Sequence, residues 1–492
     1  MLIDDLMDES GVQFGTSGVR GLVNDMTDEV CFSYVTGFLQ YLLECKFTQK
    51  GSKVAIAGDL RSSTPRIMNA VAAACQTLGF DPINCGNIPS PAVAFYGLEF
   101  GVAAIMVTGS HIPDDRNGIK FNTPNGEILK ADEQGIRAQQ VSIPKQLFTT
   151  HGQLIKDDYL TPVDVTARTL YVERFISFFP EKCLQDIKIG LYEHSSVSRD
   201  CFREIFTSLG AKVTSLGRSD AFISVDTEAI RSEDVELAKQ WADSYDFDCI
   251  ISTDGDGDRP LVSDEAGKWL RGDIAGILCA QYLSADIVIT PVSSNSAVEK
   301  SDLFENIIRT KIGSPYVIEA MQHASEAKAK SVVGYEANGG FLQQTNIELD
   351  GQTLVKLPTR DAAIVALTII LSAKRQKQTV SQLVAQLPKR YTYSDRIKNF
   401  PTELSKKVIS NLSSAPHNIN LGNIKNKFTE CGEPISTDLT DGLRITFASQ
   451  EIVHLRPSGN APEFRCYTEA ETELRAKELN EYCMTVLHEY IQ

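Results

Sequence analysis

"KVAIAGDLRSSTPRIMNAVAAACQTLG", residues 53–79, holds the fold in one stretch. Lys53 to Asp59 is a short apolar run with no helical period, and it reads as a buried strand. Thr64 and Pro65 then supply an N-cap and a first-turn proline for a helix that runs to Gly79. A second apolar run, AAIMV at 103–107, follows. Strand, helix and strand in this order predict an α/β architecture with largely parallel sheets.

The pattern recurs along the chain. A second unit starts with IKIGLYE (187–193), continues through RDCFREIFTSLG and AKVTSLG, and reaches the strand DCIIS and the loop DGDGDR (254–259). A third opens with ADIVITPV (285–292), includes SVVGYEANGG (331–340) and closes with the periodic helix RDAAIVALTIILSAK (360–374). The stretch 130–161 is polar and turn-rich, a first boundary, and 374–396 reads as a charged connection. Beyond it lies a smaller α+β unit, with short strands LRITF and EIVHL and a final helix from Glu471. The expected division is four domains: 1–155, 156–260, 261–380 and 381–492. Three are related α/β domains with mixed sheets and the last is the smaller α+β unit. Ligands of open α/β sheets bind in loops at strand ends.

At 492 residues the chain is too long for one core. A net charge of −16 argues against a nucleic-acid or anionic-membrane surface, and leaves room for a small anion held by a local basic cluster. Eleven cysteines without paired spacing read as reduced thiols, and no stretch reaches the roughly 18 apolar residues of a membrane span. The expected location is the cytoplasm.

Five loops carry chemistry. VTGSHIPDDRNGIKF (107–121) places Ser110, His111 and Lys120 on a turn rich in Pro and Gly. DGDGDR sets Asp254, Asp256 and Asp258 at alternate positions, so three carboxylates can turn to one point and hold Mg²⁺; in isolation such a run is an acidic surface turn. RPSGNAPEFR (456–465) combines Arg456, Ser458, Gly459, Asn460 and Arg465, either a phosphate cradle or a turn between two strands. GYEANGG (334–340) offers Glu336 and Asn338 to sugar hydroxyls, or is a plain glycine-rich turn. Near the start, FGTSGVRG (14–21) shows no preceding strand, which disfavours a nicotinamide site; Arg20 on a glycine loop suits an anion, unless the segment is a disordered arm.

In their order along the chain, from FGTSGVRG to RPSGNAPEFR, the loops resemble the α-D-phosphohexomutase family (phosphoglucomutase, phosphomannomutase and phosphoglucosamine mutase), over nearly the whole chain. The resemblance implies four domains around a central cleft and an intramolecular phosphotransferase that interconverts hexose 6-phosphate and hexose 1-phosphate. Ser110 is then carried as phosphoserine, a hexose 1,6-bisphosphate is the bound intermediate, and Ser110 joins the three aspartates around Mg²⁺. Lys120 and His111 are the proton-transfer pair, with Lys120 as general base if burial or cations such as Arg20 lower its pKa. Arg20, Lys120, Arg259, Arg456 and Arg465 face the anionic substrate, and RTKIGSPYV (309–317) brings Gly313 and Ser314 to the sugar. Mannose phosphate is the expected substrate, with glucose phosphate or both as the alternative; glucosamine phosphate and an inactive paralogue rank lower. The implied state is a monomer or homodimer.

Three departures stand out. The usual TASHNP is TGSHIP here. The usual G-E-x-S-G-H has Asn338 for its serine and Gly340 for its histidine. The phosphate loop has Asn460-Ala461 where Thr-Glu is common.

Overall fold

The computed structural model describes residues 1–327, 331–413, 417–458 and 462–490. They belong to two compact units, Met1–Val288 with Ser314–Val384, and Ile289–Gly313 with Ala385–Gln492.

The first unit opens with a seven-stranded sheet: β1 (Gln13–Phe14), β2 (Gly18–Leu22), β3 (Lys53–Gly58), β4 (Asp81–Asn87), β5 (Ala103–Val107), β6 (Arg116–Thr123) and β7 (Gly126–Glu127). Its order is β1-β2-β6-β5-β3-β4, with β7 on β6. β3 runs parallel to β4 and β5, as the sequence predicts, but β5, β6, β2 and β1 are antiparallel neighbours. The cause is connection length. Parallel neighbours need a crossover of a dozen or more residues, and the chain between β5 and β6 is too short for one. β6 therefore folds straight back, and NGIKF is strand rather than loop. Likewise FGTSGVRG is an ordered hairpin, with β2 holding Arg20 opposite Gly118.

The helix after β3 spans Thr64–Thr77, but Thr64 is not its cap. Ser63 holds the N-cap position, without a side-chain cap bond, and the Thr64 hydroxyl turns back to Asp59. Phe32, Phe38, Ile56, Ile105 and Phe121 fill the core between helices and sheet. The polar stretch from 130 onward is no free linker. It forms the helix Lys130–Arg137 and packs Ile136, Val141 and Phe148 into that same core.

A second sheet repeats the device: β8 (Lys188–Tyr192), β9 (Lys212–Leu216), β10 (Cys249–Thr253) and β11 (Pro260–Val262). β8 is parallel to both β9 and β10, whereas β10 and β11 form an antiparallel hairpin whose turn is DGDGDR. Next come β12 (Ile287–Pro291), β13 (Asn306–Thr310), β14 (Val332–Tyr335) and β15 (Phe341–Gln343). β14 and β15 pair antiparallel around the turn of GYEANGG. A small hairpin of β16 (Ile347–Leu349) and β17 (Gln352–Leu354) precedes the buried helix Ala362–Gln376, capped by Asp361.

The second unit carries an antiparallel sheet in the order β18-β22-β21-β20-β19. Its strands are β18 (Tyr391–Lys398), β19 (Pro434–Asp438), β20 (Leu443–Phe447), β21 (Ile452–Pro457) and β22 (Glu463–Ala470). β18 begins inside the expected charged connection and runs two residues past it. It is a mostly exposed edge strand, so its residues lack the apolar alternation that announces a half-buried one. All eleven cysteines are free thiols, and Cys45 alone is exposed. No described helix is long and apolar enough to cross a membrane.

Candidate active site

The turn between β5 and β6 is built around Ser110. Its φ of 55° is left-handed, a conformation that residues other than glycine seldom hold without a compensating environment. Arg61 provides that environment from beneath. Its Nε reaches Asp59 at 3.1 Å, and its terminal nitrogens donate to the carbonyls of Ser110 (3.0 Å), Ile112 (2.6 Å), Pro113 (2.7 Å) and Arg116 (3.0 Å). A Cβ on Gly109 would stand 2.6 Å from the Arg61 Cζ, so the glycine in TGSHIP makes room for the guanidinium. Ser110 is thus fully buried on a stapled turn, not exposed on a loose loop, and Lys120 sits on β6.

The hairpin turn after β10 brings one carboxylate oxygen each from Asp254, Asp256 and Asp258 within 4.8 Å of one another. All three residues are buried, and Asp256 Oδ1 and Asp258 Oδ1 have no hydrogen-bond partner among the described residues. An all-oxygen set with unpartnered acceptors fits a hard divalent cation. Ser110 Oγ donates to Asp254 Oδ2 at 2.5 Å. Ser90, at the start of the helix Ser90–Phe100, fixes Asp256 through a 2.5 Å hydroxyl bond and a 2.9 Å amide bond to its carbonyl. Lys120 Nζ lies 2.6 Å from both Asp256 Oδ2 and Asp258 Oδ2.

Burial and its two aspartate neighbours push the Asp254 carboxyl well above the usual range. For Asp256 burial acts upward too, but Lys120 and Ser90 prevail and hold it below that range. Lys120 departs from expectation: burial lowers its pKa, yet Asp256 and Asp258 outweigh burial, and the amine is held protonated. His111 is pushed down to about 3 by burial and by Arg259, so its imidazole is neutral near pH 7. Its Nδ1 accepts from Arg259 Nη1 at 3.0 Å and lies 3.2 Å from Ser110 Oγ. With that lone pair taken by Arg259 and the Ser110 hydroxyl donated to Asp254, His111 and Ser110 stand side by side with no donor left for a bond between them. Burial and Arg259 also bring Arg20 down to about 10. Arg20, Lys120, Arg259 and Arg360 line a narrow pocket together with the hydroxyl residues Thr16 and Ser17.

In the turn after β14, Glu336 Oε2 accepts from Arg360 Nε at 2.5 Å, both side chains buried. The Asn338 side chain is turned inward, its Oδ1 accepting from the Gly340 amide at 2.9 Å. Ser314 begins the helix Ser314–Glu326 and donates to Glu127 at 3.2 Å, with Ser17 Oγ 3.4 Å away. Gly313 precedes it at a φ of 131°.

In the second unit Arg456 and Arg465 are direct cross-strand partners on β21 and β22. Two like charges set opposite each other oppose pairing, an arrangement suited to an anion between them. Arg456 bonds Asp441 at 2.9 Å, Arg465 reaches Glu463 at 3.3 Å, and Arg465 Nε has no partner among the described residues. Arg456 and Ser458 line a cavity of about 940 Å³. Gly459 and Asn460 lie outside the described residues.

Sequence reading missed Arg61, Ser90 and Arg360. The proline-rich IPSPAVAF carries a helix-start signal for Ser90. Arg61 and Arg360 act across long sequence separations, and nothing local marks them.

Family models described as phosphoglucomutase/phosphomannomutase α/β/α domains I, II and III match residues 11–146, 170–267 and 271–391. The chain belongs to this family. It is 44% identical over 473 residues to a phosphomannomutase of Salmonella muenchen, covering 95% of this chain and 94% of that one. A phosphomannomutase of Sinorhizobium fredii is 40% identical over 479 residues, covering 97% and 99%. A phosphoglucomutase/phosphomannomutase family protein from Burkholderia thailandensis has the same fold, with a TM-score of 0.71 at 18% identity and 96% of each chain covered.

Proposed function

We propose that this phosphohexomutase, an isomerase, interconverts hexose 6-phosphate and hexose 1-phosphate, with mannose phosphate as its substrate. Ser110 is the residue that carries the phosphoryl group and a hexose 1,6-bisphosphate is the bound intermediate. One observation carries the reading: a buried, conformationally constrained serine donates to one of three clustered carboxylates, and Lys120, which meets the other two, lines a pocket with Arg20, Arg259 and Arg360. In-line phosphoryl transfer needs positioning and charge more than covalent chemistry, and this site offers both.

In the transfer, a sugar hydroxyl oxygen forms its bond to phosphorus as the bond from phosphorus to Ser110 Oγ breaks. The hydroxyl proton passes to Lys120 Nζ. Asp254, Asp256 and Asp258, with the phosphorylated Ser110, would hold a Mg²⁺, which when bound would supply neutralising charge. Lys120 can accept the hydroxyl proton only as the free amine; burial and Arg360 act in that direction, against Asp256 and Asp258. Arg20 and Arg259 hold the incoming anion, Glu336 accepts from sugar hydroxyls, and Asn338, Gly313 and Ser314 shape that side. The Arg456–Arg465 pair with Ser458 holds the non-reacting phosphate.

The similarity to phosphomannomutases at 40–44% identity supports mannose. The test is kcat/KM for mannose 1-phosphate, glucose 1-phosphate and glucosamine 1-phosphate. The expected order places mannose first; no turnover of any of them would end the mutase reading.

A further inference from the structure

Arg360 sits where its side chain alone can fill the space. A Cβ on Gly340 would lie 2.4 Å from Arg360 Cδ, 2.7 Å from Cγ and 3.0 Å from Nε. The side chain is only 4% exposed, and its Nε is committed to Glu336 at 2.5 Å. The other end of the guanidinium is not committed in the same way. Nη1 is 3.8 Å from Asp258 Oδ2, beyond hydrogen-bond reach, and neither Nη nitrogen makes a hydrogen bond to a described residue. Neither Nη nitrogen is among the fully buried unpartnered atoms, so these donors are open to whatever enters the site, and an anionic ligand can complete them. Arg360 lines a pocket with Arg20, Lys120 and Arg259, and Lys120 there contacts Asp256 and Asp258 of the carboxylate cluster that Ser110 joins through Asp254.

We propose that Arg360 is a catalytic residue: its Nε fixes the sugar-hydroxyl acceptor Glu336, and its Nη donors meet the phosphoryl oxygens during transfer. The inference rests on the mutase reading above. The guanidinium gains and loses no atoms. It stabilises charge on the three phosphoryl oxygens as the Ser110 Oγ–phosphorus bond breaks and the sugar oxygen–phosphorus bond forms. Because the same planar group touches the sugar side and the phosphoryl side, it aligns the attacking hydroxyl with the group it attacks. Gly340 is the steric condition for this arrangement.

The test uses the full chain with Mg²⁺ and mannose 1-phosphate. Arg360→Ala should lower kcat by about 100-fold or more, as loss of a transition-state donor does, with KM changed less than about threefold. Added guanidinium chloride, at concentrations well below denaturing, should restore turnover saturably. Arg360→Lys keeps a charge but not the fork, and should recover the melting temperature yet less than about a tenth of kcat. Gly340→Ala should displace Arg360 and lower kcat, and add little when combined with Arg360→Ala. Wild-type kcat in Arg360→Ala, or a kcat loss that guanidinium does not restore, would overturn the proposal. If Arg360→Ala does not fold, Arg360→Lys and Gly340→Ala decide: loss of kcat at an unchanged melting temperature upholds it, and wild-type kcat in both overturns it. A wild-type protein inactive on all hexose phosphates would overturn the mutase reading and this inference together, whereas active enzyme with unaffected variants overturns this inference alone.

Discussion

The hydroxyl of Ser110 donates to Oδ2 of Asp254 across 2.5 Å, joining the turn after β5 to the turn after β10. That bond aims the serine oxygen at the carboxylate cluster. Ser110→Ala should abolish turnover with little change in stability, because a methyl keeps the packing and only one hydroxyl bond is lost, about 1 kcal/mol. Intact-protein mass spectrometry should show one phosphoryl group on part of the purified wild type and none on the variant. Near-normal turnover by Ser110→Ala would sink the phosphoserine assignment.

Asp256 has one oxygen engaged by Ser90 and Lys120 and the other unpartnered among the described residues. Asp256→Asn should cut kcat strongly and weaken Mg²⁺ binding measured by calorimetry, since a charged ligand becomes a neutral one. Excess chelator should stop the wild type. A wild-type rate indifferent to chelator would refute the metal assignment.

The staple under the turn makes a separate claim. Arg61→Met leaves Asp59 buried without its partner and four carbonyls without donors. Unfolding by urea should show a loss of about 3–5 kcal/mol, the range for breaking a buried ion pair. A loss under about 1 kcal/mol would mean the turn holds its shape without Arg61.

Acid should weaken the fold through two imidazoles, one in each unit. His194 and His454 are buried, each bonded through Nε2 to a backbone carbonyl, and burial holds both down to about 4. In the unfolded chain each takes its proton near about 6.5. Between those values the unfolded chain binds protons that the fold refuses. Stability is therefore complete above about 6.5 and falls with pH, by about 1.4 kcal/mol per pH unit for each imidazole. Urea midpoints across this window should show the slope, and His454→Gln should remove its share. A flat profile would contradict the burial argument.

Arg456→Ala should raise KM with a smaller change in kcat, on the order of 2–3 kcal/mol of lost binding for a charge-assisted contact. An unchanged KM would place the distal phosphate elsewhere.

What was legible in the sequence follows from range. β3, β5, β10 and the helix Ala362–Gln376 were readable because burial on all sides makes continuous apolar runs. The three aspartates were readable because their alternation is local. β6 was hidden by the polar residues Arg116, Asn117, Lys120 and Asn122 among its apolar ones, and β18 by exposure at a sheet edge. Arg61 and Arg360 looked like ordinary charged residues beside helix starts. Their partners, Ile112, Pro113 and Arg116 for one and Glu336 for the other, are assembled only by the tertiary fold.

The distribution of thiols has a practical consequence. Cys45 is exposed and Cys183 partly covered, while the other nine cysteines are shut away, several with burial raising their pKa to about 12, as at Cys31, Cys85 and Cys201. An alkylating reagent should therefore label Cys45 promptly and reach the hidden nine only when the molecule opens. Because those nine are spread over both units, the pattern of labelled peptides records which part opened and how often, so the native chain carries its own gauge of local unfolding.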